Sequence, residues 1–349
     1  MKPILGLVSL LALYLTSTLM VSARVPAESE LGAYLLVYFH DETHSLHMAL
    51  SSDGYTFTAL NDDKPVIDGH EVAEQKGIRD PHIFRGPDGA FYLAMTDLHL
   101  FAQKEGLRST QWERDKSYGW GNNRGLVFMK STDLVNWSHS VVRVDKAFPG
   151  FENIGCAWAP ETVYDAQAKK LMVHFTMRFG NGRNRLYYAY VDDAFTKLTT
   201  EPKLLFEYPK DVSYIDGDIT QVGDKFHLFY VAHDGTPGIK QAVSDSLTSG
   251  YVYDPAWCDH EPKACEAPNV WKRIGQDKWV LMYDIYGIDP HNFGFSETTD
   301  FKTFVNLGRF NEGVMKTVNF TTGPKHGAVV PLTPAEARKL ADHWKLKAF

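Results

Sequence analysis

One short turn recurs along this chain and limits what it can fold into. A small polar residue, an aspartate and then an aromatic residue or leucine appear as SSDGYTF, KSTDLVNW, YVDDAFTKL, AVSDSLTSGY and ETTDFKTF. The aspartates are Asp53, Asp133, Asp193, Asp245 and Asp300, at intervals of 80, 60, 52 and 55 residues. Between them lie short apolar or alternating runs, among them AYLLVYF, FYLAMTDL, KLMVHFTMR, KFHLFYVAH and KWVLMYDIY, bounded by Gly, Asp, Asn and Pro clusters as strands and turns require. Five copies of one supersecondary unit predict an all-β chain: a five-bladed β-propeller of four-stranded blades, each burying its faces only against its neighbours. The five turn aspartates are read as structural. The extra length of the first interval falls in HLFAQKEGLRSTQWERDKSYGWGNN, too long for a hairpin and assigned to the rim.

A second element precedes four of the turns, a polar or acidic residue at the start of a strand. The segments are IRDPHIF with Asp80, CAWAPETVYD with Trp158 and Glu161, YIDGDITQV with Asp216 and Asp218, and CEAPNVWKR with Glu266. The N-terminal blade lacks such a start, and KHGAVVPL around His326 supplies one near the C-terminus. This strand is expected to become the innermost strand of the N-terminal blade and to close the ring. A single helix is predicted in TPAEARKLADHWKL, with Thr333 as cap, Pro334 at its first position and Glu336 completing a capping box.

First strands of propeller blades line the central axis, so Asp80, Asp216 and Glu266 are expected to face one another across a pocket. Glycoside hydrolysis needs that chemistry: one carboxylic acid protonates the leaving oxygen, and an opposing carboxylate activates water or attacks the sugar. A third acid nearby raises the pKa of the proton donor. Pro81 is expected to hold Asp80 in an extended backbone. Trp158 suits either the core or a sugar-stacking platform. Bulky Trp112, Tyr118 and Trp120 in the long loop are expected to block one end of a cleft, which favours exo action. RFGNGRNR, with Arg178, Arg183 and Arg185, is read as a solvated hairpin rim, contact with an acidic substituent such as a uronate being the lesser alternative.

In this order and spacing, IRDPHIF, WAP, YIDGDI and CEAP resemble the five-bladed propeller enzymes of glycoside hydrolase family 43, over essentially the whole chain after the leader. The resemblance implies Asp80 as general base, Asp216 as the residue that modulates the acid's pKa, and Glu266 as general acid, with inversion at the anomeric centre. Asp218 competes with Asp216 for the modulator's role, because Gly217 follows Asp216 here; Asp216 is preferred since it matches the strand start as Asp80 does. Glu161, Arg79 and His326 join Trp158 as candidate substrate-binding residues. The implied activity is exo-hydrolysis of a terminal pentose, β-D-xylose or α-L-arabinofuranose, from a plant or algal polysaccharide or its oligosaccharides. Invertase-type propellers also carry an RDP motif and retain configuration; Asp41 in FHDETH is the nearest candidate nucleophile for that alternative. A non-catalytic carbohydrate-binding propeller is the third reading. No cofactor is expected, with a calcium ion near His326 as an alternative.

Residues 1–23 combine Lys2, the apolar run ILGLVSLLALYL and small residues at Val21 and Ala23, the pattern of an export signal. A single catalytic domain over 24–349 is expected to follow, periplasmic or secreted, without a membrane anchor and monomeric. Lys and Arg number 36 against 43 Asp and Glu, a net charge of −7, which argues against a nucleic-acid partner. In an exported chain, Cys258 and Cys265 are positioned to close a disulfide across DHEPKA, and Cys156 is read as a small buried residue.

Overall fold

The computed structural model describes residues 24–346; the expected export signal lies outside them. Five antiparallel blades form the molecule. Blade 2 runs through Ile78–Arg85, Phe91–Asp97, Gly125–Ser131 and Ser138–Arg143, and blade 3 through Ile154–Asp165, Lys170–Phe179, Arg185–Tyr190 and Lys203–Leu204. Blade 4 comprises Tyr214–Val222, Lys225–Ala232, Ile239–Ser244 and Val252–Asp254, and blade 5 comprises Glu266–Lys272, Trp279–Ile285, Asn292–Thr298 and Val305–Arg309. Blade 1 draws on both ends of the chain: Lys325–Leu332 pairs antiparallel with Ala33–Phe39, which continues to Leu46–Ser51 and Thr56–Ala59. Lys316–Val318 adds a parallel strand at its outer edge.

The strand Ala33–Phe39 shows why seven consecutive residues can all be buried. Successive side chains point to opposite faces of a strand. Leu35, Val37 and Phe39 therefore pack with Leu93 and Met95 of blade 2, while Tyr34, Leu36 and Tyr38 pack with Val280 and Phe293 of blade 5. Each of the other interfaces has its own apolar cluster, centred on Phe128 and Phe175, on Leu186 and Tyr230, and on Phe229 and Tyr283. The helix forms as Pro334–His343 with the Thr333–Glu336 capping box present, and Glu336 also binds Arg85 of blade 2 at 2.7 Å. No helix among the described residues is long and apolar enough to cross a membrane.

Three of the turn aspartates act as expected. Oδ1 of Asp53, Asp133 and Asp300 each accepts two backbone N–H groups of its own turn. In blade 3 the work falls to Asp192, which accepts from Thr196 and Lys197, not to Asp193. In blade 4, Ser244 bridges the turn and Asp245 is exposed, paired with Lys225. Either residue of the DD pair and either polar residue of SDS can serve, so the repeat located the turn but not the acceptor. The expected disulfide is also corrected: all three cysteines are free and buried. Cys258 and Cys265 donate their N–H groups to the carbonyls of Ile239 and Pro237 and pack in the apolar cluster between blades 4 and 5. Burial pushes the Cys156 thiol up to about 12, which leaves it inert at neutral pH.

Candidate active site

Each of the five inner strands is interrupted by a β-bulge, between Arg79 and His82, Trp158 and Glu161, Ile215 and Asp218, Glu266 and Asn269, and at Lys325 to Ala328. Every bulge contains one residue at positive φ: Asp80 (54°), Ala159 (44°), Asp216 (54°), Ala267 (56°) and His326 (31°). Asp80 is therefore not extended. The bias imposed by Pro81 is overridden by the bulge, which turns a side chain away from the pleat, and Asp is among the residue types that tolerate this backbone.

Aligning the bulges gives three tiers along the axis. The upper tier holds Arg79, Trp158, Ile215, Glu266 and Lys325; the middle tier holds Asp80, Ala159, Asp216, Ala267 and His326; His82, Glu161, Asp218 and Asn269 lie below. Neighbouring blades fix the middle tier. Thr96 of blade 2 accepts the Ala159 N–H at 2.8 Å and donates to Asp80 Oδ2 at 2.6 Å. Thr176 of blade 3 accepts the Asp216 N–H at 3.0 Å, and Asp284 of blade 5 accepts the His326 N–H at 3.2 Å. Each clasp reaches from the second strand of one blade to the bulge of the next.

Asp80, Asp216, Glu266 and His326 line one chamber of about 80 Å³, walled by Trp120 and Trp158. The chamber shares Arg79, Trp120, Trp158, Ile215 and Glu266 with a wider cleft of about 660 Å³. A further cavity of about 480 Å³ lies along the far halves of the inner strands, from Ile83 to Val330, and of the three tiers it reaches only His82, Asp218 and Asn269 of the lowest.

Burial pushes Asp80 up, but His326, with Nδ1 at 3.3 Å, together with Arg79 and the Thr96 hydroxyl outweighs it and holds the carboxylate well below its ordinary range. Burial lowers His326 in turn, yet Asp80, Asp216 and Glu266 outweigh it and raise His326 above its ordinary value. Asp216 is raised to about 6 by burial, His326 opposing and Asp80 adding. Glu266 is raised to about 8, by burial first and by Asp216 second. One chamber thus offers an ionised carboxylate and a protonated carboxylic acid at neutral pH, which is the acid–base pairing that glycoside hydrolysis uses.

Two candidates fall elsewhere. Glu161 lies below the chamber, completely desolvated against Asp218 and 3.8 Å from His82, so it does not reach a sugar there. Burial and Asp218 drive its pKa upward, and burial raises Asp218 to about 7. Ligand atoms of His82, Glu161 and Asp218 lie within 4.8 Å of one another, a spacing that would also suit a cation. Asp218 bonds to Asn269 at 3.1 Å in this lower tier, whereas Asp216 is in the chamber. Arg79 pairs with Asp41 at 2.5 Å and lies over the Phe39 ring, and this engages Asp41 in the outer cleft, outside the chamber.

Trp158 donates its indole N–H to the Gly121 carbonyl at 2.8 Å and meets Trp120 edge to face at 5.8 Å. Arg178 lies over the Trp158 ring and donates to the carbonyls of Tyr118 and Trp120, so it is a buried strut of the long loop and not a solvated rim residue. Sequence reasoning missed Thr96 and Lys325, and it placed Arg178 at the rim instead of beneath the long loop. Lys325 had a signal, because it precedes His326 as Arg79 precedes Asp80.

A five-bladed propeller that gathers three acids at one end of its axis has the carboxyl arrangement that glycoside hydrolysis uses. The family description "Probable glycosyl hydrolase domain", of the family 43-related group, matches residues 29–338. The chain belongs to this glycoside hydrolase family 43-related group. An α-L-arabinofuranosidase of Bifidobacterium longum subsp. longum is 25% identical over 252 residues, covering 66% of this chain but only 21% of that enzyme. The fold matches a Bacteroides thetaiotaomicron endo-1,4-β-xylanase structure (TM-score 0.56, 11% identity, 82% of this chain and 93% of that one). It also matches a Clostridium thermocellum α-L-arabinofuranosidase (TM-score 0.52, 12% identity, 81% and 84%).

Proposed function

We propose that this chain is an exo-acting, inverting glycosidase that removes a terminal pentose, β-D-xylose or α-L-arabinofuranose, from an oligosaccharide or polysaccharide. Asp80 activates water as general base, Glu266 protonates the leaving oxygen, and Asp216 keeps Glu266 protonated. The observation that carries this reading is the convergence of Asp80, Asp216 and Glu266 in one small chamber, where the surroundings push Asp80 down and Glu266 up. Its size, and the Trp120 and Trp158 walls, favour a single terminal sugar over a chain passing through. The arabinofuranosidase relative supports a pentose. Engagement of Asp41 by Arg79 weighs against a retaining mechanism with Asp41 as nucleophile.

Nitrophenyl pentosides and hexosides, with NMR of the first-formed anomer, test substrate and stereochemistry together. Hydrolysis confined to pentosides with inversion is expected; a product of retained configuration, or cleavage of hexosides alone, would overturn the proposal.

The pH profile tests Asp216 separately. With Asp80 ionised throughout, activity should fall as Glu266 loses its proton near pH 8. Asp216→Asn removes a negative charge that raises Glu266, so the alkaline limb of kcat/KM should move to lower pH, while Asp218→Asn should leave it in place. A limb that moves only in the Asp218 variant would exchange the two roles.

A further inference from the structure

The outer cleft is cationic in an acidic protein. The chain carries a net charge of −7, yet Arg79, Arg178, Arg183 and Lys325 line the cleft against two carboxyls, Asp41 and Glu266. Glu266 keeps its proton up to about pH 8, and Asp41 is already bound to Arg79. A cleft lined by one sign of charge focuses its field on whatever enters.

Lys325 is the most informative member. It is 5% exposed, and its one ion-pair partner among the described residues is Asp284 Oδ2 at 3.5 Å. No hydrogen bond from its ammonium occurs among the described residues, although an ammonium has three donors. Its place in the cleft wall leaves donors facing the space where a substrate would lie. Across the cleft, buried Arg178 spends its N–H groups on carbonyl oxygens and on Asn184 Oδ1, with no carboxylate within ion-pair distance among the described residues. Arg183 is more than half exposed, 3.8 Å from Asp211. Neutral sugars give such a wall nothing to neutralise; a charge-assisted hydrogen bond to an anionic oxygen does.

We propose that the cleft binds the leaving-group side of an anionic saccharide, one carrying a carboxylate or sulfate ester beside the scissile linkage, with Lys325 as its principal contact and Arg183 at the rim. This rests on the glycosidase reading above in placing the leaving group in the cleft. The test is therefore read on binding.

Calorimetry on full-length Glu266→Gln protein at low salt would compare matched xylo- or arabino-oligosaccharides that are neutral, uronate-bearing or sulfated. One acidic form should bind about tenfold more tightly than the neutral one, as a charge-assisted contact implies, and the advantage should shrink with added salt. Whichever acidic form shows it identifies the anion. Adding Lys325→Gln should erase the advantage and Lys325→Arg should keep it. Arg183→Gln, at an exposed position, should reduce it several-fold even if the Lys325→Gln chain fails to fold. Equal affinity for neutral and acidic ligands, or an advantage untouched by both variants, overturns the proposal. Failure to hydrolyse any pentoside would sink the catalytic reading alone.

Discussion

Glu266→Gln is expected to lower kcat/KM on natural oligosaccharides by on the order of 10³-fold, the scale of a lost general acid, while the affinity for those sugars stays within about a factor of three of the wild type. The amide keeps the shape and polarity of the side chain but has no proton of suitable acidity to give. Leaving-group dependence is the diagnostic part. A nitrophenolate departs without protonation, so nitrophenyl pentosides should lose far less than oligosaccharides. Steady-state kinetics on both substrate types, with calorimetric binding, would check this; oligosaccharide turnover near the wild-type rate would remove Glu266 from the acid's role.

Asp80→Asn should be as damaging to both kinds of substrate, again by on the order of 10³-fold, because water then lacks its base whatever the leaving group. Stability is where this variant separates function from architecture. Asn, like Asp, is enriched at positive φ, so the bulge should survive. His326 loses the carboxylate that does most to raise its pKa, and an imidazole can answer by binding its proton less tightly. Little change in the thermal midpoint is therefore expected, together with a drop in the His326 pKa that NMR titration would register. A variant that melts far earlier, with activity lost only in proportion, would make Asp80 a turn residue and no more.

What could be read from the sequence was whatever repeats with the blade. The turn motif located all five blades, the strand starts located the axis, and KHGAVVPL corresponds to Lys325–Leu332, the strand that pairs with the N-terminal blade. The three acids were legible because each opens an inner strand. Single-residue offsets were not legible, since a bulge inserts a residue without a signature of its own. Glu161 illustrates this: it stands three residues after Trp158 on the same strand, and that spacing spans the bulge and sets it two tiers lower. Asp193, Asp245 and the cysteine pair failed for a related reason, because more than one neighbouring residue could satisfy the same local requirement. Thr96 was invisible and Arg178 was misplaced because their meaning lies in contacts with another blade or with the long loop.

The clasps between blades have a kinetic corollary. His326, which keeps Asp80 ionised, sits on a strand more than 240 residues further along the chain, within the blade that joins both ends of the ring. During synthesis Asp80 would emerge long before its partner, and a nascent chain could complete four blades without a working base. Catalytic competence then becomes a reporter of the last docking event in folding. In a refolding time course, the return of activity should trail the recovery of bulk β-structure and keep pace with the arrival of that final strand.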